Sequence, residues 1–455
     1  MKTYAKSVFI FRRDLRLSDN TGLNAALTQS EQVSAVFIFD PQQIQPHPYQ
    51  SQNGLQFMLE ALADLQQQLA KQQARLYLLS GKPEQVINDL QALQGIEAVF
   101  VNRDYTPFSR QRDQNLQQHC QQLGLAFHSY NDLLLNEPEQ LVKTDQSPYQ
   151  VFTPFYNRAR QNPVNLPQPL TTGSFATETI KALKEQTLSD LQINHQNPFP
   201  GGNTAALAYL DQLQQCKTYQ QHRDFPALAA TSNLSAYLKF GCCSVRQAYY
   251  AILNQLGSEH SLLRQLYWRD FFTHIAFHYP QVFGHAFHSR YDRLPWSQNQ
   301  ADFWRWANGE TGFPIVDAGM RQLNQTGCMH NRVRMITASF LVKDLHISWR
   351  WGERYFAQHL LDYDPCLNNG NWQWAASTGC DAQPYFRIFN PWLQQQKFDP
   401  DCEYIKTWIP ELKKFSAKII HHWQDQPLSG DYPAPMLDHG QQSQIIKALF
   451  KAQQP

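Results

Sequence analysis

Amides, carboxylates, tryptophans and arginines crowd the stretch Gly327–Pro391, and seven of the eleven tryptophans fall within Trp296–Trp374. In Asp362–Trp374, two carboxylates and several amides lie near a glycine. Paired carboxylates can bind a metal or transfer protons. They can also accept hydrogen bonds from a ring N–H or pair with Arg334. No histidine lies within this segment, which favours the second interpretation.

A second group has helical spacing, because Gln265, Trp268, Arg269 and Phe272 stand at i, i+3, i+4 and i+7. An apolar stripe at this spacing usually belongs to a core. A glutamine and an arginine on the same face are costly there unless they meet polar partners. This face is therefore expected to contact a ligand.

Smaller polar groups allow a ligand interpretation beside a structural one. Asn331 and Met335, four residues apart, combine an amide that can read a base edge with a soft thioether. An exposed basic helix with a methionine in the core is an equally good interpretation of this segment. The turn Thr231–Ser235 could cap a helix or seat a phosphate. His274 and His278 have no third ligand nearby and are interpreted as structural.

The elements that must position these groups differ along the chain. The first 130 residues alternate short β-branched runs with polar helical stretches, which predicts a parallel α/β sheet. No G-x-G-x-x-G motif follows the first run, so a dinucleotide site is not supported there. The predicted strands are Ser7–Phe11, Val33–Phe39, Ala74–Leu79, Ile96–Val101 and Ala126–Tyr130, with an amphipathic helix at Leu55–Gln73.

Beyond residue 130 the pattern becomes irregular and then helical. Proline, asparagine and glutamine accumulate at 131–202, which predicts a long surface connector. The remainder, 203–455, is predicted to be an all-α domain. Candidate helix N-caps are Ser189-Asp190 and Ser261.

Composition limits the class of protein. A length of 455 residues suits two or three domains, and no run of 18 apolar residues predicts a membrane span. No secretory signal pattern is present, so a cytoplasmic protein is predicted. The eight cysteines form no CxxC pair, which favours reduced thiols over zinc or iron–sulfur binding. With a net charge of +1, nucleic-acid binding would need a local basic face.

In their order along the chain, these segments resemble the photolyase/cryptochrome family. The resemblance covers the chain from Phe11 to about Leu412. Three motifs, Met329–Met335, Asn369–Gly379 and Pro384–Pro391, are closest to the pattern of class I cyclobutane pyrimidine dimer (CPD) photolyases. The resemblance implies a Rossmann-like α/β antenna-binding domain at 1–130 and a larger helical FAD- and DNA-binding domain at 203–455.

The resemblance implies FAD, folded into a U within the helical domain. Asp364 would accept a hydrogen bond from the flavin ring, Asp362 would pair with Arg334, and Asn368 would lie beside flavin N5. Plant cryptochromes carry aspartate at that last position, so asparagine favours repair over signalling. Positions matching cofactor contacts are Tyr219, Thr231, Ser232, Asn233, Leu234, Ser235, Arg269 and Tyr363, and Trp372, Trp349 and Trp296 match the three-tryptophan chain that photoreduces the flavin.

The implied substrate is UV-damaged DNA, bound by a monomer. Excited, fully reduced FAD would donate an electron to a flipped-out pyrimidine dimer and recover it after the dimer splits. Trp268 and Trp374 would hold the dimer, while Asn331 and Met335 would contact its pyrimidines. The implied backbone contacts are Arg332 and Arg223, which would add affinity without sequence preference.

The chain departs from the class I pattern at two places. Gln265 stands where these enzymes usually carry glutamate; glutamine can donate through its amide but supplies no proton or charge. The (6-4) photolyases and many animal cryptochromes also carry glutamine there, but they have histidine at the position of Asn331. The asparagine–glutamate pair and the lysine of folate-binding relatives are missing, so Asn102–Pro107 favours a deazaflavin, another flavin or no antenna.

Three alternatives remain beside CPD repair. One is an FAD-binding blue-light receptor with weak or no repair activity. Another is a (6-4) photolyase, supported only by Gln265. The last is a plain single-strand DNA-binding module, which leaves the tryptophan chain and the flavin contacts unexplained.

Overall fold

The computed structural model describes residues 2–178, 185–191, 197–228, 230–381, 387–425 and 431–453. Contacts within the chain define two compact units. Unit one comprises Met1–Tyr149, Thr153–Gln214 and Ser232–His278, and unit two comprises Gln150–Phe152, Gln215–Thr231 and Tyr279–Pro455. These limits differ from the domain boundaries expected at 130 and 203, which stay a prediction.

Unit one contains a five-stranded parallel sheet with the strand order β3-β2-β1-β4-β5. All five predicted strands are present, with ends displaced by at most three residues. Val8, Phe9 and Ile10 are consecutive and buried, as expected of a parallel strand covered on both faces. The strands are β1 Tyr4–Phe11, β2 Ser30–Phe39, β3 Leu76–Ser80, β4 Ala98–Asn102 and β5 Ala126–Tyr130.

Helices surround this sheet and continue through unit one. The predicted helix at Leu55–Gln73 begins earlier, because Ser51 caps it by accepting a hydrogen bond from the Gly54 N–H. The helices that lie wholly or mostly in this unit are α1 Thr21–Gln29, α2 Pro41–Ile44, α3 Gln52–Lys71, α4 Pro83–Gln94, α5 Pro107–Gln122, α6 Phe152–Ala159, α7 Asn203–Asp211, α9 Ser235–Phe240, α10 Val245–Leu256 and α11 Ser261–His278, and α8 Tyr219–His222 belongs to unit two.

Two expectations about the connector were wrong. The segment predicted to be irregular contains α6, and Ser189-Asp190 lies inside a single 3₁₀ turn, Leu188–Leu191, instead of starting a helix. The Asp190 side chain bonds back to the Thr187 N–H, which closes a local turn and does not cap a longer helix. By contrast, α11 begins at Ser261, where a helix start was predicted.

A buried charge network ties the residues after β5 to α10 within unit one. Asp132 accepts hydrogen bonds from Arg16 at 2.5 Å and from Arg246 at 2.8 Å. Arg246 also pairs with Asp19 at 2.9 Å. Although burial opposes ionisation, the two guanidinium groups hold the pKa of Asp132 well below its usual range. The network is therefore charged at neutral pH and anchors α10 to the sheet.

The pKa of Asp270 on α11 is shifted in the opposite direction from that of Asp132. Its Oδ2 accepts hydrogen bonds from the Leu135 and Asn136 N–H groups at 2.9 and 3.1 Å. Burial nevertheless raises the pKa of Asp270 to about 7, and Arg269, 3.8 Å from the carboxylate, offsets only part of this rise. The carboxyl therefore keeps its proton over a pH range in which an unfolded aspartate has lost it.

This shift predicts that unit one loses stability as pH rises from about 4 to about 7. Over that window the folded Asp270 retains a proton that the unfolded chain releases, so unfolding becomes more favourable with each pH step. Hydrogen exchange of the Leu135 and Asn136 amides, corrected for the intrinsic rate, should be less protected at pH 7 than at pH 5. Asp270→Asn should abolish the difference; an unchanged pH dependence in that variant would contradict the assignment.

Unit two is helical, and its core is aromatic. Trp306, Trp349 and Trp423 are at most 1% exposed. A π-helical turn, Phe340–Asp344, follows α14 directly. The remaining helices are α12 Gln300–Asn308, α13 Pro314–Thr326, α14 Asn331–Ser339, α15 Trp349–His359, α16 Pro365–Ala376, α17 Pro391–Phe398, α18 Glu403–Trp408, α19 Ala417–His421 and α20 His439–Lys451.

The predictions about cysteines, metal sites and membrane spans can be compared with the structure. All eight cysteines carry free thiols, and seven of them are buried. Within the described residues, no three histidine, cysteine, aspartate or glutamate side chains group as a metal site. No helix in the same part of the chain has the length and apolar character that crossing a bilayer requires.

Candidate functional site

Helix α11 carries three of the predicted site residues in unit one. Gln265 and Trp268 are half-buried, and the Trp268 ring stacks on Phe272 one turn later, with centroids 5.6 Å apart at 29°. This contact fits the helical face predicted from their spacing. Arg269 donates to the Leu133 carbonyl at 2.7 Å and lies 3.8 Å from Asp270. At least part of its hydrogen-bonding capacity is therefore used inside the fold.

The turn before α9 differs from the predicted cap. The N-cap residue is Leu234, whose apolar side chain makes no capping bond, and Asn233 has a positive φ of 52°. Ser232 is half-buried and Ser235 exposed at the start of the helix. Hydroxyls and N–H groups are a suitable donor set for phosphate oxygens, so the turn fits the cofactor phosphates implied by the resemblance. Thr231, the first residue of the turn, belongs to unit two.

Helix α14 displays the predicted base-reading pair in unit two. Asn331 is its first residue and is exposed, and its Nδ2 lies 3.8 Å from the Met335 sulfur. His330 caps the helix by accepting from the Arg332 N–H at 3.2 Å. The amide and the thioether therefore share one surface of the helix, as their spacing predicted.

The two arginines expected to contact DNA already have protein partners. Arg332 forms an ion pair with Asp224 at 2.9 Å and lies over the Phe398 ring at 4.5 Å. Arg223 lies over the Tyr219 ring at 5.7 Å. A phosphate contact by Arg332 would have to compete with Asp224, a residue to which the sequence analysis gave no role.

The expected ion pair between Arg334 and Asp362 is present. Nη2 of Arg334 lies 3.1 Å from both carboxylate oxygens, and its Nε donates to the Met329 carbonyl at 2.8 Å. The guanidinium is thereby fixed from two sides, which orients the Asp362 carboxylate. Of the two interpretations of these carboxylates, the geometry favours pairing with arginine over metal binding.

Asp364 is the N-cap residue of α16. Oδ1 of this residue accepts from the Cys366 and Leu367 N–H groups at 2.9 and 3.1 Å, so it is an N-cap as well as the predicted flavin partner. Asn368 is buried and donates to the Glu353 carbonyl at 2.9 Å. Its amide is thus held in one orientation by α15. Tyr363, just before the cap, packs against the core of unit two.

The two tryptophans of α16 face different surroundings, as their spacing predicted. Trp372 is 3% exposed and meets Phe356 edge-on at 4.9 Å, whereas Trp374 is half-buried with Phe389 at 6.5 Å. The close approach of α15 requires Gly352, because a Cβ at that position would lie 2.1 Å from the Trp372 ring. Trp372 is therefore locked in position, and Trp374 keeps a face available for stacking.

The other two tryptophans of the expected chain differ in burial. Trp349 is fully buried at the start of α15. Trp296 is half-buried against Phe450 of α20, with centroids 6.4 Å apart, and its buried Nε1 has no hydrogen-bond partner among the described residues. The Lys343 ammonium lies 4.2 Å from the centroid of the same Phe450 ring.

Several neighbours of the site were missed by the sequence analysis. Asp224 and Glu353 contact predicted residues through side chain or backbone, and Trp306 contacts Trp372 at 6.3 Å. Trp306 was part of the tryptophan-rich stretch, but nothing in its spacing separated it from a core residue. In the motif Pro384–Pro391, residues 384–386 lie outside the described residues.

The segment Asn102–Pro107, considered for an antenna, is heavily bonded within unit one. Asn102 donates to Asp14 and Asn20 at 2.6 and 2.8 Å. Asp104 pairs with Arg13 at 3.1 Å, and Thr106 caps α5. These bonds shape the carboxyl end of β4, where ligands of parallel sheets bind.

Known proteins resemble the chain along its whole length. A DNA photolyase domain matches residues 7–172, and the FAD binding domain of DNA photolyase matches residues 262–452. A protein of Alkalihalophilus pseudofirmus named deoxyribodipyrimidine photo-lyase is 39% identical over 97% of each chain. Together these matches cover both the sheet and the helical site residues.

Solved structures of relatives have the same fold. An archaeal photolyase from Sulfolobus tokodaii, described with two FAD molecules, has a TM-score of 0.89 and 42% identity over 98% of this chain and 100% of its own. A Synechocystis cryptochrome has a TM-score of 0.90 and 31% identity over 99% and 100%. The chain therefore belongs to the DNA photolyase family and carries the family's FAD-binding domain.

Proposed function

We propose that the protein is a CPD photolyase, which uses blue light to split cyclobutane pyrimidine dimers in DNA. The observation that carries this proposal is the exposed face of α14, where the Asn331 amide and the Met335 thioether lie side by side. An amide offers both a donor and acceptors to a pyrimidine edge, and a thioether adapts to a flat ring. The curated relatives named deoxyribodipyrimidine photo-lyase support the same reaction.

Fully reduced FAD would supply the excited electron that splits the dimer and would take that electron back, so that no net redox change occurs. The chain's own residues bind and orient. Trp268 and Trp374 present half-buried indole faces on which flipped bases can stack. Arg223 would supply positive charge for backbone phosphates, and Arg332 would do so by exchanging its partner Asp224 for a phosphate. The protein would act as a monomer inside the cell, where its DNA substrate is.

Contacts within unit two orient two of the predicted cofactor residues. The ion pair between Arg334 and Asp362 fixes one carboxylate, and Asn368 is tethered through its Nδ2. The amide oxygen of Asn368 is the atom of this side chain that can accept from a cofactor N–H. Such preorganisation lowers the cost of binding a large flavin.

One experiment separates this proposal from its alternatives. The purified protein is reduced and illuminated with oligonucleotides that contain either a CPD or a (6-4) photoproduct, and its absorption spectrum is recorded first. Loss of the CPD in light, but not in darkness, is the expected result. Repair of neither lesion by a flavin-containing protein would point to a blue-light receptor, which the similarity to the Synechocystis cryptochrome makes the second candidate.

Gln265→Glu should raise the repair yield per absorbed photon. Glutamate can donate a proton or carry charge beside the dimer, which glutamine cannot do. The measurement compares dimers split per photon in the two proteins at equal flavin occupancy. Gln111→Glu, on the surface of α5, controls for added negative charge. An unchanged or lower yield for Gln265→Glu would refute the expectation.

A further inference from the structure

A continuous series of aromatic rings leads from Trp372 through α12 toward water. The Trp372 and Trp306 centroids are 6.3 Å apart. Trp306 lies 5.7 Å from both Phe303 and Tyr355. These two rings reach Trp304 at 5.4 and 6.5 Å, respectively. Every step is within the distance at which aromatic side chains are in contact.

The inner rings of this series are buried, and its last ring is exposed. Trp372 is 3% exposed and Trp306 is 0% exposed, whereas Trp304 is 53% exposed. A positive charge on an indole ring is costly in a dry core and is stabilised by water. If an electron is withdrawn from Trp372, the resulting charge is therefore driven outward, toward Trp304.

The two rings beside Trp306 are bridges and not end points. Tyr355 donates its hydroxyl to Asn324 Oδ1 at 2.8 Å and lies 3.2 Å from the Ala307 carbonyl. Neither oxygen is basic enough to remove the phenol proton, and burial raises the pKa of Tyr355 to about 12. Phe303 is harder to oxidise than an indole. Charge that reaches this pair is accordingly passed on to Trp304.

The expected chain through Trp349 ends in a less favourable environment. The Nε1 of Trp296 is buried without a hydrogen-bond partner among the described residues. An oxidised indole is trapped when it loses its Nε1 proton, and a buried, unpartnered nitrogen has no acceptor for it. Trp304, half in water, has the solvent as its acceptor.

We propose that Trp306 and Trp304 form a second electron-transfer route, which branches at Trp372 from the chain through Trp349 and Trp296. The inference rests on the proposed function, since it requires bound FAD. One electron passes from Trp372 to the photoexcited, oxidised flavin. Trp306 then returns one electron to Trp372, and Trp304 returns one to Trp306. The oxidised Trp304 releases its Nε1 proton to water, and an added thiol restores the indole with one electron and one proton.

The test compares flavin photoreduction in the holoprotein with thiol present, for the wild type, Trp304→Phe, Trp296→Phe and the double variant. We expect each single variant to retain much of the rate and the double variant to fall about tenfold below either one, beyond the product of the single effects. Trp408→Phe, which changes another half-buried tryptophan of unit two, is the control. Flavin absorbance and circular dichroism verify folding of each variant.

A second readout locates the charge directly. The wild type is illuminated without thiol, and oxidation products of tryptophan are assigned by peptide mass spectrometry. Accumulation at Trp304 above the level at Trp408 supports the route. Abolition of photoreduction by Trp296→Phe alone, or no excess oxidation at Trp304, would overturn it. If the wild type repairs dimers but the double variant loses no more photoreduction than the product of the single effects, only this route is disproved, whereas absence of flavin and photoreduction in the wild type also removes the proposed function.

Discussion

Replacing Asp132 by alanine should lower the free energy of unfolding of unit one by about 3–5 kcal/mol. The change leaves Arg16, with a 1% exposed side chain, without its 2.5 Å carboxylate partner. Arg246 keeps Asp19 but loses its 2.8 Å bond to Asp132. Asp132 also accepts hydrogen bonds from the Thr21 N–H and hydroxyl, and both donors lose this acceptor. A buried cation that loses its carboxylate partner is strongly destabilising.

Urea unfolding followed by circular dichroism measures this loss. Asp132→Asn is the matched control, because it keeps the shape and an acceptor oxygen but removes the charge, and its loss should be intermediate. Asp145→Asn changes an exposed aspartate and should have little effect. A loss below about 1 kcal/mol for Asp132→Ala would place the interaction among ordinary surface ion pairs and contradict the expectation.

The second large effect is expected for Gly352→Ala. The new Cβ would lie 2.1 Å from one Trp372 ring atom and 2.6 Å from a Leu341 methyl group, so the ring or α15 must move. Overpacking of this kind costs about 1–3 kcal/mol or more. We expect a clear drop in thermal stability together with a large loss of flavin photoreduction, because Trp372 begins both electron-transfer routes.

The double variant Gly352→Ala, Trp372→Phe separates the two consequences. The smaller ring removes the clash at position 372 but leaves the Leu341 methyl 2.6 Å from the new Cβ, so stability should recover in part while photoreduction stays low. Gly440→Ala is the control, since its Cβ would meet only a side-chain oxygen of Asp438, at 3.2 Å. Wild-type photoreduction in Gly352→Ala would show that the position of Trp372 is not critical.

Features that depend on neighbouring residues in the chain could be predicted from the sequence. The five strands, the α11 face and the opposite surroundings of Trp372 and Trp374 depend on local periodicity, and the structure contains them. The pairing of Arg334 with Asp362 was also anticipated, through a family pattern. These features need no knowledge of how distant segments meet.

The rest depends on contacts that no local pattern contains. Asp224 pairs with Arg332, which is 108 positions away in the chain. The ring series through Trp306 and Tyr355 exists only because α12 and α15 pack together. Asp364 was assigned to the cofactor, and its second role as a helix cap depends on where α16 begins. The sequence therefore indicated the candidate site residues, but it did not indicate most of their contact partners.

The last helix, α20, covers two buried ionisable side chains of unit two. Burial holds the pKa of Lys343 well below its usual range, and its ammonium is covered by Phe450, while His439 bonds to the buried Asp344. Detachment of α20 would expose a lysine and an aspartate that then ionise freely in water. The helix thus covers two side chains whose charged forms burial disfavours, and its opening should behave as a separate, pH-sensitive unfolding event that precedes loss of the tryptophan core.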